Sequence, residues 1–221
     1  MTTWPPELPP LPVRTPTDRP VALLLRHAER PAITPGEHGT DLALTDHGRR
    51  TAELLGATLG PRILSLSTSP VRRCRETAEA IRRGAKLNLD ITPDRLLGDP
   101  GVFVSDPDLA WTHWQTLGHE AVVEHLAHAD QPLPGLAHAA DAAHQLAQHL
   151  LHALHTSPPG LHGLHIFVTH DAILYPTVSR IMHATYHPWP VFLEAAALWQ
   201  EAGSAIAYSQ DSTHLSKEHS P

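Results

Sequence analysis

Val21-Ala-Leu-Leu-Leu-Arg-His-Ala-Glu-Arg-Pro31 is the stretch from which the rest of the chain is read. Five apolar residues run unbroken into an Arg-His pair. Such a short run predicts a strand buried on both faces, as in a parallel sheet. In open α/β sheets, ligand sites lie beyond the carboxyl ends of the strands. Arg26, His27 and Arg30 are therefore expected where chemistry happens. Two guanidiniums offer planar forks of donors to phosphate oxygens, and an imidazole can attack phosphorus. The plain alternative is a strand end carrying solvated charge.

Two more junctions repeat the pattern. Arg62–Ser67 alternates as a second strand, and a helix follows from Val71 to about Arg83, with Pro70 in its first turn. Its first turn is crowded with Arg72, Arg73 and Arg75, although the helix dipole disfavours cations there. Helical neighbours point about 100° apart, so only one or two of these can face one site. Arg73 shares a face with Thr77 and Ala80. Leu164–Thr169 is a third apolar strand, ending at His170-Asp171 before a helix from Ala172 to Met182. Between the first two strands, Thr45 is placed to cap a helix reaching Leu59, and Gly60-Pro61 ends it. Strand-then-helix alternation predicts an α/β fold with a mostly parallel central sheet flanked by helices.

Leu89–Ile91 reads as a short strand, and Asp106 as the cap of a helix to Leu117. Segments 119–129 and 136–155 read as helices, 183–190 as an irregular turn, and 192–199 and 204–208 as late strands. Residues 1–20 hold seven prolines and little that could pack, so they read as an extended arm. The tail from Gln210 reads as frayed. Ten histidines lie between His119 and His165. His149, His152 and His155 could share a face, but no carboxylate or cysteine completes a ligand pattern, and surface polarity is the preferred reading.

A chain of 221 residues with 41% hydrophobic residues fits one domain with an elaborated insertion. Net charge is −7 without a basic stripe, which argues against a nucleic-acid partner. The single cysteine, Cys74, forbids an internal disulfide and fits a reducing, cytoplasmic setting. No apolar run reaches membrane-span length, and no leader pattern opens the chain.

Taken together, the three strand ends resemble the histidine phosphatase superfamily, with its phosphoglycerate mutase-like fold. "LLLRHAERP" is similar to that family's Arg-His-Gly motif, "STSPVRRCRETA" to its Ser-Pro-x-x-Arg-x-x-x-Thr-Ala segment, and "IFVTHDA" to its second-histidine motif. The resemblance runs from Val21 to Ser209 and implies a three-layer sandwich with 96–136 as a lid over the site. There are departures. Ala28 stands where the family has glycine, which requires a negative φ. Ile33 stands where the mutase-like branch has asparagine, whereas Arg30 and His170-Asp171 resemble the acid phosphatase and phytase branch.

The resemblance implies a metal-independent phosphomonoester hydrolase that uses no cofactor and acts on a small phosphorylated metabolite, as a monomer or homodimer. His27 is the nucleophile, and Arg26, Arg30, Arg73 and His170 bind the phosphate, with His170 protonated once the dianion is bound. Asp171 is the implied acid, and Asp99, near the mutase-like branch's acidic position, is its competitor. Glu29 has no fixed catalytic role. A phosphoglycerate-type mutase and a non-catalytic phosphate-binding module are the alternatives. Trp111 and Trp114 either line the pocket or, more commonly for tryptophan, pack a core.

Overall fold

The computed structural model describes residues 4–10, 15–34, 36–157, 160–182, 189–201 and 204–208. In chain order the elements are β1 (Val21–Arg26), α1 (Asp46–Leu59), β2 (Ile63–Thr68), α2 (Arg72–Ala85) and β3 (Ile91–Pro93). Then come α3 (Pro107–Leu117), α4 (His119–His128), α5 (Ala139–His155), β4 (Leu164–Thr169), α6 (Asp171–Met182), β5 (Ala195–Glu201) and β6 (Ser204–Tyr208). The strands form one sheet in the order β3-β2-β4-β1-β5-β6. The β3, β2, β4 and β1 strands run parallel, and β5 and β6 are antiparallel additions.

All six residues of β1 are buried because it is covered on both faces. Side chains alternate across a strand, so its residues divide between two cores. Val21, Leu23 and Leu25 pack with Leu55 of α1 and Ile81 of α2. Ala22 and Leu24 pack with Leu146 of α5 and Leu174 of α6. This is the three-layer α/β architecture the sequence implies. The first helix layer is unusually close. A Cβ on Gly56 would lie 2.0 Å from the Ile81 carbonyl oxygen, and one on Gly84 would lie 1.9 Å from that of Glu53. Only glycine lets α1 and α2 cross at that distance.

Several boundaries differ from the sequence reading, each for a local reason. The α1 start is as expected: the Thr45 side chain accepts from Gly48 N. Helix α2 begins at Arg72 with Val71 as its cap, which leaves Pro70 outside the first turn. β3 falls at 91–93 and not 89–91, because Ile91–Pro93 is the stretch in register with Leu66–Thr68. α5 starts at Ala139 and not 136, because Leu136 is used in an isolated antiparallel bridge to Val104. β5 starts at Ala195 and not 192, because Leu193 takes φ 62° in a turn where Val191 N donates to Glu194 Oε2. The proline-rich arm packs more than expected, since Leu8 is buried and Trp4 lies against the α1/α2 core. The irregular 183–190 turn lies mostly outside the described residues, and the tail from Gln210 lies wholly outside them. Among the described residues, no helix is long and apolar enough to cross a membrane.

Candidate active site

β1, β2 and β4 end side by side, and backbone bonds pin the residues that follow them. His27 N donates to Thr169 O at 2.9 Å, and Ser69 N donates to Val168 O at 2.9 Å. The β4 ladder is thus continued by one residue on either side, which fixes where His27 and α2 begin. Thr77 adds a clamp: its hydroxyl accepts from Ala28 N at 3.0 Å and donates to the Arg73 carbonyl at 2.7 Å. Ala28 is fully buried and is not among the positive-φ residues, so its methyl is tolerated as expected.

His27 is buried, and its Nδ1 lies 2.8 Å from the Ala28 carbonyl oxygen. A carbonyl only accepts, so Nδ1 carries the proton and Nε2 keeps its lone pair. Arg73 agrees, since its Nε donates to that Nε2 at 3.1 Å. Burial foremost, then the positive charge of Arg73, pushes the His27 pKa down to about 3. The imidazole therefore stays neutral far into acid.

Of the three first-turn arginines of α2, one faces the site. Arg72 is spent on Glu76, 2.7 Å away, and on the Asp41 carbonyl, while Arg75 is exposed. Arg73 spans the centre: besides His27 it donates through Nη1 to the Gly39 carbonyl at 2.8 Å and through Nη2 to His170 Nδ1 at 3.0 Å. A guanidinium only donates, so His170 accepts at Nδ1 and places its proton at Nε2, 3.0 Å from Ser69 Oγ. The two histidine rings meet edge-on at 5.4 Å. Burial, followed by the charges of Arg73 and His27, holds the His170 pKa well below the ordinary value. His170 is therefore neutral in this arrangement.

Arg26 is buried over the Phe192 ring, its guanidinium carbon 4.4 Å from the centroid. It pairs with Asp171 Oδ2 at 2.7 Å and donates to the Pro190 carbonyl. Arg30 bonds the Pro31 carbonyl at 2.7 Å. The Nε donors of Arg26 and Arg30 are both buried without a hydrogen-bond partner. Unmatched buried donors are costly, and their presence here fits a site that receives an anion.

Asp171 does not look like an acid holding a proton. Oδ1 accepts from Ala172 N at 2.9 Å and lies 3.3 Å from His119 Nε2. Oδ2 takes Arg26 and the Trp189 indole N–H at 3.3 Å. Burial pushes its pKa up, but the His119 hydrogen bond and the Arg26 charge outweigh that and hold it well below the carboxylate range. Asp99 contrasts with it. Its side chain is 53% exposed, 4.0 Å from Arg95.

Both carboxylates, with His27, Arg30, Arg73 and His170, line one cavity of about 1030 Å³. Trp111 and Trp114 line it too, so they are wall residues as well as packing ones. The 31–44 loop supplies the other wall, and His38 stacks on Trp111 with ring centroids 3.5 Å apart. Glu29, by contrast, accepts from the Thr45 hydroxyl at 2.6 Å and serves the start of α1. The histidine-rich helices spend their rings elsewhere: His149 pairs with Asp94 at 2.6 Å and His155 with Gln200 at 2.8 Å. Among the described residues, no cluster of three or more metal-ligating side chains occurs.

Three contributors carried little or no sequence signal. His119 opens α4 and reaches Asp171 from the lid, while Trp114 donates to its Nδ1 at 3.3 Å. Gly98 sits at φ +142°, where a Cβ would come within 2.7 Å of His170 and of Ser69 Oγ. Cys74 packs 3.5 Å from His170 Nε2, its thiol pushed up to about 12 by burial, so it is an inert wall.

This constellation of two histidines and three arginines at parallel strand ends coincides with a family match. The family model for the histidine phosphatase superfamily (branch 1) covers residues 22–198, and the chain belongs to that superfamily. The mixed branch signals of Arg30 and His170-Asp171 therefore sit on a branch 1 framework. An acid phosphatase of Mycobacterium tuberculosis is 39% identical over 103 residues, 41% of this chain and 51% of the relative. The chain thus spans about half the length of that curated relative. A mycobacterial glucosyl-3-phosphoglycerate phosphatase shares the fold with TM-score 0.58 and 18% identity, over 87% of this chain and 99% of the other. So does a phosphoglycerate mutase from Bacillus anthracis, with TM-score 0.59 and 14% identity, over 87% and 94%.

Proposed function

We propose that this chain hydrolyses phosphomonoesters through a phosphohistidine formed on His27. The observation that carries the reading is the fixed tautomer: Nδ1–H tied to Ala28 O, and the Nε2 lone pair held 3.1 Å from Arg73 Nε at the cavity wall. His27 Nε2 attacks phosphorus as the ester P–O bond breaks. Arg30, Arg73 and protonated His170, which line the cavity, face the equatorial oxygens, where charge must be stabilised, and Arg26, paired with Asp171, adds its positive charge nearby. The dianion favours the protonated form of His170 and so reverses its resting state. Water then attacks the phosphohistidine and releases inorganic phosphate. The exposed Asp99 at the cavity wall, open to water, supports hydrolysis over transfer to a second substrate.

The acid role passes in this reading from Asp171 to Asp99. Asp171 has both oxygens committed and holds Arg26 in place, whereas Asp99 is open to the cavity. A missing general acid costs about 10²–10⁴-fold. Asp99→Asn is expected to lose that much on alkyl phosphates and little on p-nitrophenyl phosphate, whose leaving group departs without a proton. Asp171→Asn is expected to slow both alike. The reverse pattern would return the proton to Asp171. The side-chain cations make the reaction metal-independent, so rates with and without EDTA are expected to agree.

The whole reading is tested by phosphate release from p-nitrophenyl phosphate and by alkaline quenching after a phosphate-labelled ester, since the P–N bond of phosphohistidine survives base and not acid, to find the label on His27. No release from any ester would leave the binding module as the better description.

A further inference from the structure

The basic and imidazole side chains proposed to bind phosphate, Arg30, Arg73, His27 and His170, line only part of the cavity. About 1030 Å³ is at the top of the range, roughly 300–1,000 Å³, that encloses drug-sized ligands. Phosphate on a three-carbon acid would leave most of it to water. The rest of the lining differs in chemistry from these side chains. Two tryptophan side chains, Trp111 and Trp114, come from α3, and Trp111 is held flat by the stacked His38. The same cavity is lined by neutral hydrogen-bonding side chains, Thr40 and Gln115. The charges there are unwelcoming to a second anion. Glu37 and Asp99 line the wall, and Arg95 is set 4.0 Å from Asp99. The other cationic guanidiniums lining the cavity, Arg30 and Arg73, are already needed for the phosphate.

We infer that the cavity above the phosphate site is a leaving-group subsite for an uncharged, hydroxyl-bearing ring. The substrate is then the phosphomonoester of a sugar or nucleoside, and not a small carboxylate ester such as phosphoglycerate or phosphoserine. The inference rests on the proposed phosphomonoesterase reading. A flat indole offers a ring face, and Thr40 and Gln115 offer partners for hydroxyls. An added carboxylate would instead meet the Glu37 carboxylate, with Arg95 set against Asp99.

The test separates binding from turnover. In His27→Ala protein, calorimetric affinities are compared for glucose 6-phosphate and adenosine 5′-monophosphate against 3-phosphoglycerate and phosphoserine. At least one ring ester is expected to bind about tenfold more tightly than either acid, the scale of one aromatic contact. A preference under threefold overturns the subsite. Adding Trp111→Ala is expected to cut the preference at least threefold. Gln115→Ala, at an exposed position, gives the same reading should the tryptophan variant unfold. If both folded variants keep the preference, the subsite is overturned. If wild-type protein hydrolyses both sets equally and the trap does not discriminate, the subsite fails and the phosphatase reading stands. If wild-type protein hydrolyses nothing while the trap still prefers the ring, the phosphatase reading fails and the subsite stands.

Discussion

His165 lies on β4 and His170 immediately beyond it, and both are buried. Each ring has both nitrogens engaged. His165 sits between two serine hydroxyls, with Ser65 Oγ 2.8 Å from Nδ1 and Ser157 Oγ 2.6 Å from Nε2. His170 has one serine, Ser69, and one guanidinium, Arg73. Burial lowers the pKa of both, but only His170 is pushed further by neighbouring positive charge. A buried, hydrogen-bonded histidine is therefore an ordinary structural element of this fold. What marks a site is an excess of positive charge around the ring that the Asp171 carboxylate does not balance. A bound phosphate is expected to relieve that excess.

The contrast is broken most decisively by removing the histidines in turn. His27→Ala is expected to cost at least about 10⁴-fold in kcat, since the nucleophile is gone. His165→Ala should leave kcat within a few-fold while lowering unfolding free energy by about 1–3 kcal/mol, because the half-buried Ser65 and Ser157 hydroxyls each lose a hydrogen-bond partner. Kinetics on p-nitrophenyl phosphate and urea denaturation read the two effects. Comparable activity losses would show that His165 belongs to the chemistry and that the distinction is false.

Arg73 should come next. It touches both histidines, and deleting one preorganised donor to a developing charge costs about 10²–10³-fold. Arg73→Ala is expected to fall in that range in kcat/KM. Arg72→Ala, on the neighbouring position of the same turn, should stay within a few-fold, since Arg72 is bound to Glu76. Equal losses would mean that the basic turn acts as a diffuse field.

Acid should separate the two states of the site. His27 and His170 have folded pKa values below the ordinary 6.5, so the unfolded chain binds more protons as pH falls below 6.5. Stability from these groups is full above pH 6.5 and declines below it, for His27 down to about 3, by up to about 1.4 kcal/mol per pH unit for each group. Urea midpoints at pH 7 and pH 5 should show the decline, and saturating phosphate should shift the histidine signals seen by NMR. The His170 resonance is expected to move upward in pKa with phosphate, while that of His165 should not. If both respond, or neither does, the charge excess at His170 is not the anion's binding site.

The sequence was most legible where local rules and function agree. The five apolar residues before Arg26 could only be a strand covered on both faces, and the cation-rich first turn of α2 contradicted the helix dipole strongly enough to announce a task. Distance in sequence hid the rest. The approach of Gly98 to His170 and the placement of Trp111 against His38 depend on loops folding back over the sheet, and no periodicity encodes that. Asp171 was legible as a position, but the groups that hold its carboxylate were not, because Arg26, His119 and Trp189 reach it from three separate parts of the chain.

His119 gives the smallest expected effect and the finest distinction. Trp114 donates to its Nδ1, so its proton lies on Nε2, directed to Asp171 at 3.3 Å. Asp171 in turn holds Arg26. His119 thus ties the start of α4 to the Asp171–Arg26 pair, and its expected role is to position that pair without touching the reacting atoms. Loss of one such hydrogen bond is worth about 0.5–1.5 kcal/mol, or a few-fold to roughly tenfold. His119→Ala is expected to lower kcat/KM by that amount. His119→Gln, which can both accept from the indole and donate to the carboxylate, should restore most of it. The restoration is the informative part, because a ring needed only for packing would not be replaced by an amide. The pH profile supplies the second reading: without the His119 hydrogen bond the Asp171 carboxylate becomes easier to protonate, so the acid limb of kcat/KM should move to higher pH in His119→Ala and return in His119→Gln. If the alanine variant loses activity with an unshifted limb and the glutamine variant fails to rescue it, His119 acts by filling space, and α4 has no electrostatic hold on the pair.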